Sequence, residues 1–397
     1  MMAARKTART GMRRSSWVPA SWIVAALLAL TGLAFTACGS GSGSGSGTPG
    51  AGPGGPGPTV VRPEPAGEPR TVLLGFSSLP AELTSQSYIQ AFATAAQYAD
   101  LLLIQRTPPW AEFLPGGTIS NETAETTRLE TALLKQYSNL RLYYAIDPTD
   151  GAVQRSRLAN LPSSVDVQAG FEDPDVRAAF VAYAAYIAKN YKPAYMALGL
   201  EINMTYERAP RQFEAFATLY DEAYAVVKGN SPGTKVFPTW QLEDLEGTFG
   251  QVHPPRWELI ERFRGKMDVL AISTYPFLGE VRSVADIRED YYRQLRTRWS
   301  GEILVAETGY PSAPVEGREA VGTEAEQKAY LQRVLTEAEQ LGFSGVVWFA
   351  ALDPAFATTG PAVAFKDVGL RRSDGSNKQA WALWEEWARR PLAAGQR

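Results

Sequence analysis

From Thr71 onward the apolar positions fall into short runs that alternate with longer stretches in which apolar residues recur every three or four. The short runs read as strands and the longer stretches as amphipathic helices, the pattern of βα units on a parallel sheet. Eight strands are expected, at about Thr71 to Phe76, Asp100 to Arg106, Leu140 to Ile146, Tyr195 to Glu201, Lys235 to Thr239, Met267 to Tyr275, Glu302 to Glu307 and Gly345 to Phe349. Helices fill the gaps, most clearly Glu172 to Asn190, Pro210 to Lys228, Val284 to Trp299, Glu324 to Leu341 and Lys378 to Arg389. Asn230-Ser231-Pro232-Gly233, Gly301 and Gly342 fall where helices should stop. Eight units in one domain's length predict an α/β fold, a (β/α)8 barrel over residues 71–392. A doubly wound sheet has the same periodicity, but no Gly-x-Gly-x-x-Gly follows the first strand.

The pattern ahead of Thr71 is different. Arg5, Lys6, Arg9, Arg13 and Arg14 precede an apolar run from Trp22 to Ala37, too short for a comfortable membrane span and shaped like an export signal. It ends in Leu33-Ala34-Phe35-Thr36-Ala37-Cys38-Gly39. That segment resembles a bacterial lipobox, with Phe35 where Leu is usual, and the resemblance implies a signal peptide over 1–37 and lipidation of Cys38, the chain's one cysteine. Residues 38–70 are rich in Gly, Ser and Pro and are expected to form a disordered tether. The domain is therefore expected to be exported and held to the cell envelope or surface by a lipid anchor.

Composition narrows the chemistry. The 397 residues are 45% hydrophobic and 20% charged with a net charge of -3, which gives no basic stripe for nucleic acid. A single His, His253 in a Pro-rich loop, leaves a His-centred triad and a catalytic zinc site poorly supplied, so no metal or cofactor is expected. Asp147 and Asp150 lie in Asp-Pro-Thr-Asp, which is first a turn. Aromatics are plentiful, 10 Trp, 17 Tyr and 16 Phe, and flat rings suit sugars as well as cores.

Two strands run straight into acids. Tyr195-Met196-Ala197-Leu198-Gly199-Leu200 ends on Glu201, and Ile303-Leu304-Val305-Ala306 ends on Glu307 before Gly309-Tyr310-Pro311 stops the strand. In a parallel barrel both acids open on the carboxyl face, where such barrels keep their chemistry. Two facing carboxylates suggest glycoside hydrolysis, with a separation of about 5 to 5.5 Å if the mechanism retains configuration.

These acids end the fourth and seventh expected strands, and in this the chain resembles the clan A superfamily of retaining glycoside hydrolases. Arg106 in Gln105-Arg106-Thr107-Pro108, Tyr275 in Ser273-Thr274-Tyr275-Pro276, Trp348, and the closing Gly369 to Gly375 with Lys378 and Trp381 extend the likeness over Thr71 to Arg389. Within the superfamily, Leu200-Glu201-Ile202-Asn203 and Ala306-Glu307-Thr308-Gly309-Tyr310 are most similar to arabinogalactan endo-β-1,4-galactanases. The resemblance implies Glu201 as acid/base and Glu307 as nucleophile of a monomeric enzyme acting on a β-linked polysaccharide or oligosaccharide. Leu200 stands where the family carries Asn, and Asn203, two positions after Glu201, is the candidate replacement. Arg106 and Tyr275 are expected to keep Glu307 ionised, and Trp110, Trp240, Tyr310 and Trp348 to face the sugar with them. The alternative is a surface lipoprotein that uses the barrel as a carbohydrate-binding or scaffold module without turnover.

Overall fold

The computed structural model describes residues 57–395, apart from 152–153, 167, 250–251 and 316–320. The expected signal peptide, Cys38 and the tether up to residue 56 lie outside the described residues. Among the described residues there are nine parallel strands: β1 Leu73–Ser77, β2 Leu101–Arg106, β3 Arg141–Ile146, β4 Tyr195–Leu198, β5 Lys235–Phe237, β6 Thr239–Gln241, β7 Val269–Thr274, β8 Glu302–Thr308 and β9 Gly345–Trp348. Their order is β5-β4-β3-β2-β1-β9-β8-β7-β6.

The two ends of that order are halves of one strand. Pro238 has no N–H for a ladder and separates β5 from β6. The first half pairs with β4 and the second with β7, so chain continuity closes the ring. Eight strands in the barrel sense result, β4 being the fourth and β8 the seventh. The strands are buried almost without alternation, as expected when the barrel interior fills one face and helices cover the other.

The longer helices are α1 Ser85–Tyr98, α2 Asn121–Gln136, α3 Pro174–Tyr191, α4 Pro210–Asn230, α5 Glu324–Gln340 and α6 Gln379–Arg389. Their starts are written in capping residues. Thr84, Ser120, Asp173 and Thr323 each accept a first-turn N–H through the side chain. The continuous helix expected over Val284 to Trp299 is instead a single turn, Val284–Asp286, followed by a short helix, Arg293–Arg298. Between them Tyr291 and Tyr292 are both buried, one reaching Glu243 and the other donating to or accepting from Tyr330 at 2.8 Å. Consecutive residues anchored to different partners do not suit one helix face.

The amino-terminal edge of the domain also differs from expectation. Residues 57–70 run along the barrel rather than away from it. Gly57 exchanges hydrogen bonds with the Gln136 amide, the Tyr137 hydroxyl donates to Pro58 O at 2.7 Å, and Arg62 pairs with Asp100 at 3.3 Å. Arg70 is buried and donates to Asp100, Val72 O and Trp387 O, joining the starts of two strands to α6 at the bottom of the barrel. Composition alone did not reveal these partners, because they are all distant in sequence.

Candidate active site

Glu201 is placed by an unusual backbone. β4 ends at Leu198, Gly199 takes φ +97°, and Glu201 itself sits at φ 47° as the cap of a short helix, Ile202–Arg208. A Cβ on residue 199 would lie 2.5 Å from Phe216 Cζ, so the turn requires glycine for space as well as for its dihedral. A left-handed glutamate costs on the order of 1–2 kcal/mol and persists only where its surroundings hold it. They do so here. The Glu201 N–H donates to Thr239 Oγ1 at 2.8 Å, Ser273 Oγ donates to Oε1 at 2.6 Å, and Arg155 donates to Oε2 from Nε at 2.9 Å and from Nη2 at 2.8 Å.

Glu307 comes from β8, one residue before its end. The pairing of β7 with β8 steps from Ile272 opposite Val305 to Ser273 opposite Glu307, skipping Ala306. Ser273 is thus the ladder partner of one acid and the hydrogen-bond donor to the other, and it brings the two together at the strand-end face. Tyr275 donates its hydroxyl to Glu307 Oε1 at 2.6 Å. Burial, and then the charge of Glu201, push the Glu307 carboxyl up to about 8, against the pull of the Tyr275 hydroxyl and Arg155. Tyr143, buried on β3, is pushed well above the usual phenol range by burial and then by both acids, so its hydroxyl lies in the field of both.

Arg155 was not expected. It is buried in the segment after β3 at φ 59°, and its third nitrogen, Nη1, donates to Asp147 Oδ1 at 2.6 Å and to Thr149 Oγ1 at 3.1 Å. Thr205 on the helix after Glu201 donates to the Arg155 carbonyl at 3.0 Å, locking the loop to that helix. Burial pushes Asp147 up to about 6, opposed by Arg155 and reinforced by Glu201. A lone arginine in a turn-rich loop carries no sequence signal for such a role.

Of the other expected site residues, Tyr275 is joined to Glu307 by a hydrogen bond. Arg106 meets Glu130 on α2 and Tyr88 on α1, in the layer between sheet and helices, so the positive charge that acts on Glu307 comes from Arg155 instead. Its partners lie on the helices, so it faces outward from the barrel. Asn203 is held in contacts of its own: its amide donates to Gln241 O at 3.0 Å and Asp244 Oδ2 at 2.7 Å, and its oxygen accepts from Gln241 N at 2.9 Å. Leu200 lines an apolar hollow with Phe171, Ile202, Phe213 and Phe216, turned towards the helices.

The aromatic candidates are packed rather than presented to a ligand. Trp110 donates to Ala159 O at 2.7 Å, Trp348 donates to Val368 O at 2.8 Å, and Tyr310 donates to Glu326 at 2.8 Å, all three being buried. Trp240 is wholly buried with its ring edge-on to Phe263. A second buried acid, Glu243 just after β6, supports the site from behind. It accepts from Thr274 Oγ1 at 2.7 Å and from the Tyr275 N–H at 3.0 Å, and so fixes the residue that bonds Glu307. Burial pushes it up to about 7.

No protein-family model matches the sequence, and no curated relative does. Solved structures do match. The GH5_18 protein of Bifidobacterium longum subsp. longum ATCC 55813 superposes with a TM-score of 0.61 at 15% identity, covering 82% of this chain and 81% of that one. The exo-β-1,4-mannosidase Op5Man5 of Opitutaceae bacterium strain TAV5 gives 0.56 at 17% identity, over 83% of this chain and 61% of that one. The GH53 catalytic domain of Ignisphaera aggregans gives 0.54 at 14% identity, over 83% of this chain and 99% of that one. The chain therefore shares with these proteins the fold of a single-domain (β/α)8 barrel.

Proposed function

We propose that this protein is a retaining glycoside hydrolase for a β-linked polysaccharide or oligosaccharide, with Glu307 as nucleophile and Glu201 as acid/base. The observation that carries this reading is the meeting of the two glutamates through Ser273 at the carboxyl ends of β4 and β8. A retaining site needs one carboxylate to attack the anomeric carbon and one carboxylic acid to protonate the leaving oxygen. The charge of Glu201 is, after burial, the main cause that raises Glu307, and a like charge beside a carboxyl is the means by which two acids are given different roles. Tyr275 holds the Glu307 oxygen in a fixed orientation.

A β-1,4-galactan is the first substrate to try, from the segments around the two acids, and a β-1,4-mannan the second, from the printed activity of one structural neighbour. The experiment is release of reducing ends from a panel of plant and microbial β-glycans by wild type and Glu307→Gln. Release that depends on Glu307 supports the reading, and no release from any glycan removes it. The other reading, a carbohydrate-binding or scaffold barrel without turnover, is favoured by one observation: both oxygens of Glu201 are already occupied by Arg155 and Ser273. We also propose that Cys38 carries the lipid anchor of an exported protein. Cys38→Ser is expected to move the protein from the membrane to the soluble fraction, and unchanged membrane association would rule the anchor out.

A further inference from the structure

We propose that Gln105 and Tyr143 are substrate-contacting residues, whose amide and phenol bond hydroxyl groups of the sugar held at Glu201 and Glu307. The inference rests on the proposed acid pair and gives a sugar-binding role to two side chains outside the expected site.

The strands set the direction of both. Arg106 meets the helices, and alternation along β2 therefore turns Gln105 into the barrel at the carboxyl end of that strand. On β3 the Tyr144 hydroxyl lies 2.9 Å from that of Tyr183 on α3, so Tyr144 faces out and Tyr143 faces in. The Tyr143 ring lies 5.7 Å from that of Phe237 on β5. One layer nearer the mouth the side chains are short. Gln105 is in register with Ala145 of β3, and Ala145 with Ala197 of β4, so the next two strands set only methyl groups beside the amide.

The fold itself uses neither polar group. Among the described residues, the Gln105 amide and the Tyr143 hydroxyl form no hydrogen bond, and Gln105 Oε1 is covered although the residue as a whole is half-buried. Tyr143 is 1% exposed. Buried polar groups are nearly always paired, because an unpaired one has given up its bonds to water for nothing. Other polar groups of the mouth are already committed: Ser273 and Arg155 donate to Glu201, and Tyr275 donates to Glu307. Gln105 and Tyr143 keep their capacity for a ligand. An amide and a phenol can each donate or accept, which matches a neutral, hydroxyl-bearing ring and offers nothing special to a charged one. Both acids also act on the Tyr143 phenol, which places its hydroxyl near the position the reacting sugar must take.

The test is calorimetric binding of β-1,4-linked galacto-, manno- and gluco-oligosaccharides to Glu307→Gln, which has lost its nucleophile, with and without Gln105→Leu or Tyr143→Phe. Each added substitution is expected to weaken the best-bound oligosaccharide by about tenfold. The thermal midpoint of unliganded Gln105→Leu should not fall, because its amide has no partner to lose. Monodeoxy versions of that oligosaccharide separate direct contact from a general disturbance. For the sugar lacking the contacted hydroxyl, Gln105→Leu should cost nothing further, while for the others it should cost the full factor. Unchanged affinity in either variant removes that residue, and equal loss for every monodeoxy sugar overturns the contact, as does a Glu307→Gln protein that binds none of the oligosaccharides. The two claims separate. Binding that depends on Gln105 and Tyr143 in a protein that cleaves no glycan keeps this inference and removes the hydrolase, whereas cleavage that depends on Glu307 but on neither of them does the reverse.

Discussion

Among the described residues, two arginine–glutamate pairs with a buried glutamate differ in what surrounds them. Arg106 and Glu130 meet between sheet and helices, where the Tyr88 hydroxyl donates to Glu130 Oε1 and the Tyr191 hydroxyl donates to Oε2 at 2.6 Å. These partners are parts of the wall, so the pair ties β2 to α1, α2 and α3. Arg155 and Glu201 meet at the carboxyl ends of β3 and β4, beside a second, half-buried acid and beneath a backbone held in the left-handed region. The same ion pair is a fastener in one place and, on the proposed reading, part of the site in the other. Both lie at carboxyl ends of strands, and the side to which each residue turns makes the difference: the last residue of β2 meets the helices, while the turn after β4 brings its glutamate to Ser273 and Glu307.

Cutting each pair at its glutamate should separate the two roles most sharply. Glu201→Gln is expected to lower turnover of unactivated glycans by about 10³-fold, the scale of general-acid catalysis. Glu130→Gln should leave turnover per folded molecule unchanged and lower stability by about 3–5 kcal/mol, since it strands Arg106 in the wall. Steady-state kinetics and denaturant titration of both variants check this, and loss of turnover in a fully folded Glu130→Gln would erase the distinction.

A next step is to remove both members of the wall pair. Arg106→Met with Glu130→Leu should be less destabilising than Glu130→Gln alone, because the desolvation cost of both charges goes with them. Denaturant midpoints showing the double variant as the worse of the two would contradict the fastener reading.

The mouth should also show itself in pH dependence. Glu307 rises from its ordinary 4.5 to about 8 in the folded protein. Between those values the folded state holds a proton that the unfolded state has lost, so stability falls as pH rises through this window and the loss is complete above about 8. Asp147, raised to about 6, and Glu243, raised to about 7, act in the same direction at its lower end. Glu307→Gln should flatten the upper part of the slope. Thermal midpoints measured from pH 5 to pH 9 test it, and equal slopes in the two proteins would count against the raised acid.

The smallest effect is expected at Leu200. Placing an asparagine there puts an amide into the apolar hollow with Phe171 and Phe213, at a cost of about 1–3 kcal/mol. No gain in turnover should accompany it. A rise in turnover of Leu200→Asn would show that this side chain reaches the sugar after all.

The strands and both acids were legible because each depends on local pattern: continuous apolar runs mark buried parallel strands, and a carboxylate following such a run marks the barrel mouth. What was not legible depends on orientation. Arg106, Trp240 and Trp348 follow the right runs, yet each points into the wall or core, and strand alternation near an end is altered by bulges such as the one beside Ala306. Arg155 was hidden for another reason. It lies in an irregular segment with no periodicity, and its importance comes from Glu201, 46 positions away. Pro238 divided one expected strand into two by removing a single donor. The ordered stretch 57–70 was read as tether because its composition cannot make a core, although it can lie on one.

The most direct measurement of the central claim uses an aryl glycoside with a good leaving group and two variants, Glu307→Gln and Glu201→Gly. Glycine suits the left-handed dihedral at 201 and leaves a space that azide can enter. Glu307→Gln should be inactive with or without azide, because no nucleophile remains. Glu201→Gly should form the glycosyl-enzyme, stall, and be restarted by azide with release of a β-glycosyl azide. Equal loss in both folded variants, with no azide product from either, would contradict the assignment of these two glutamates as the catalytic pair.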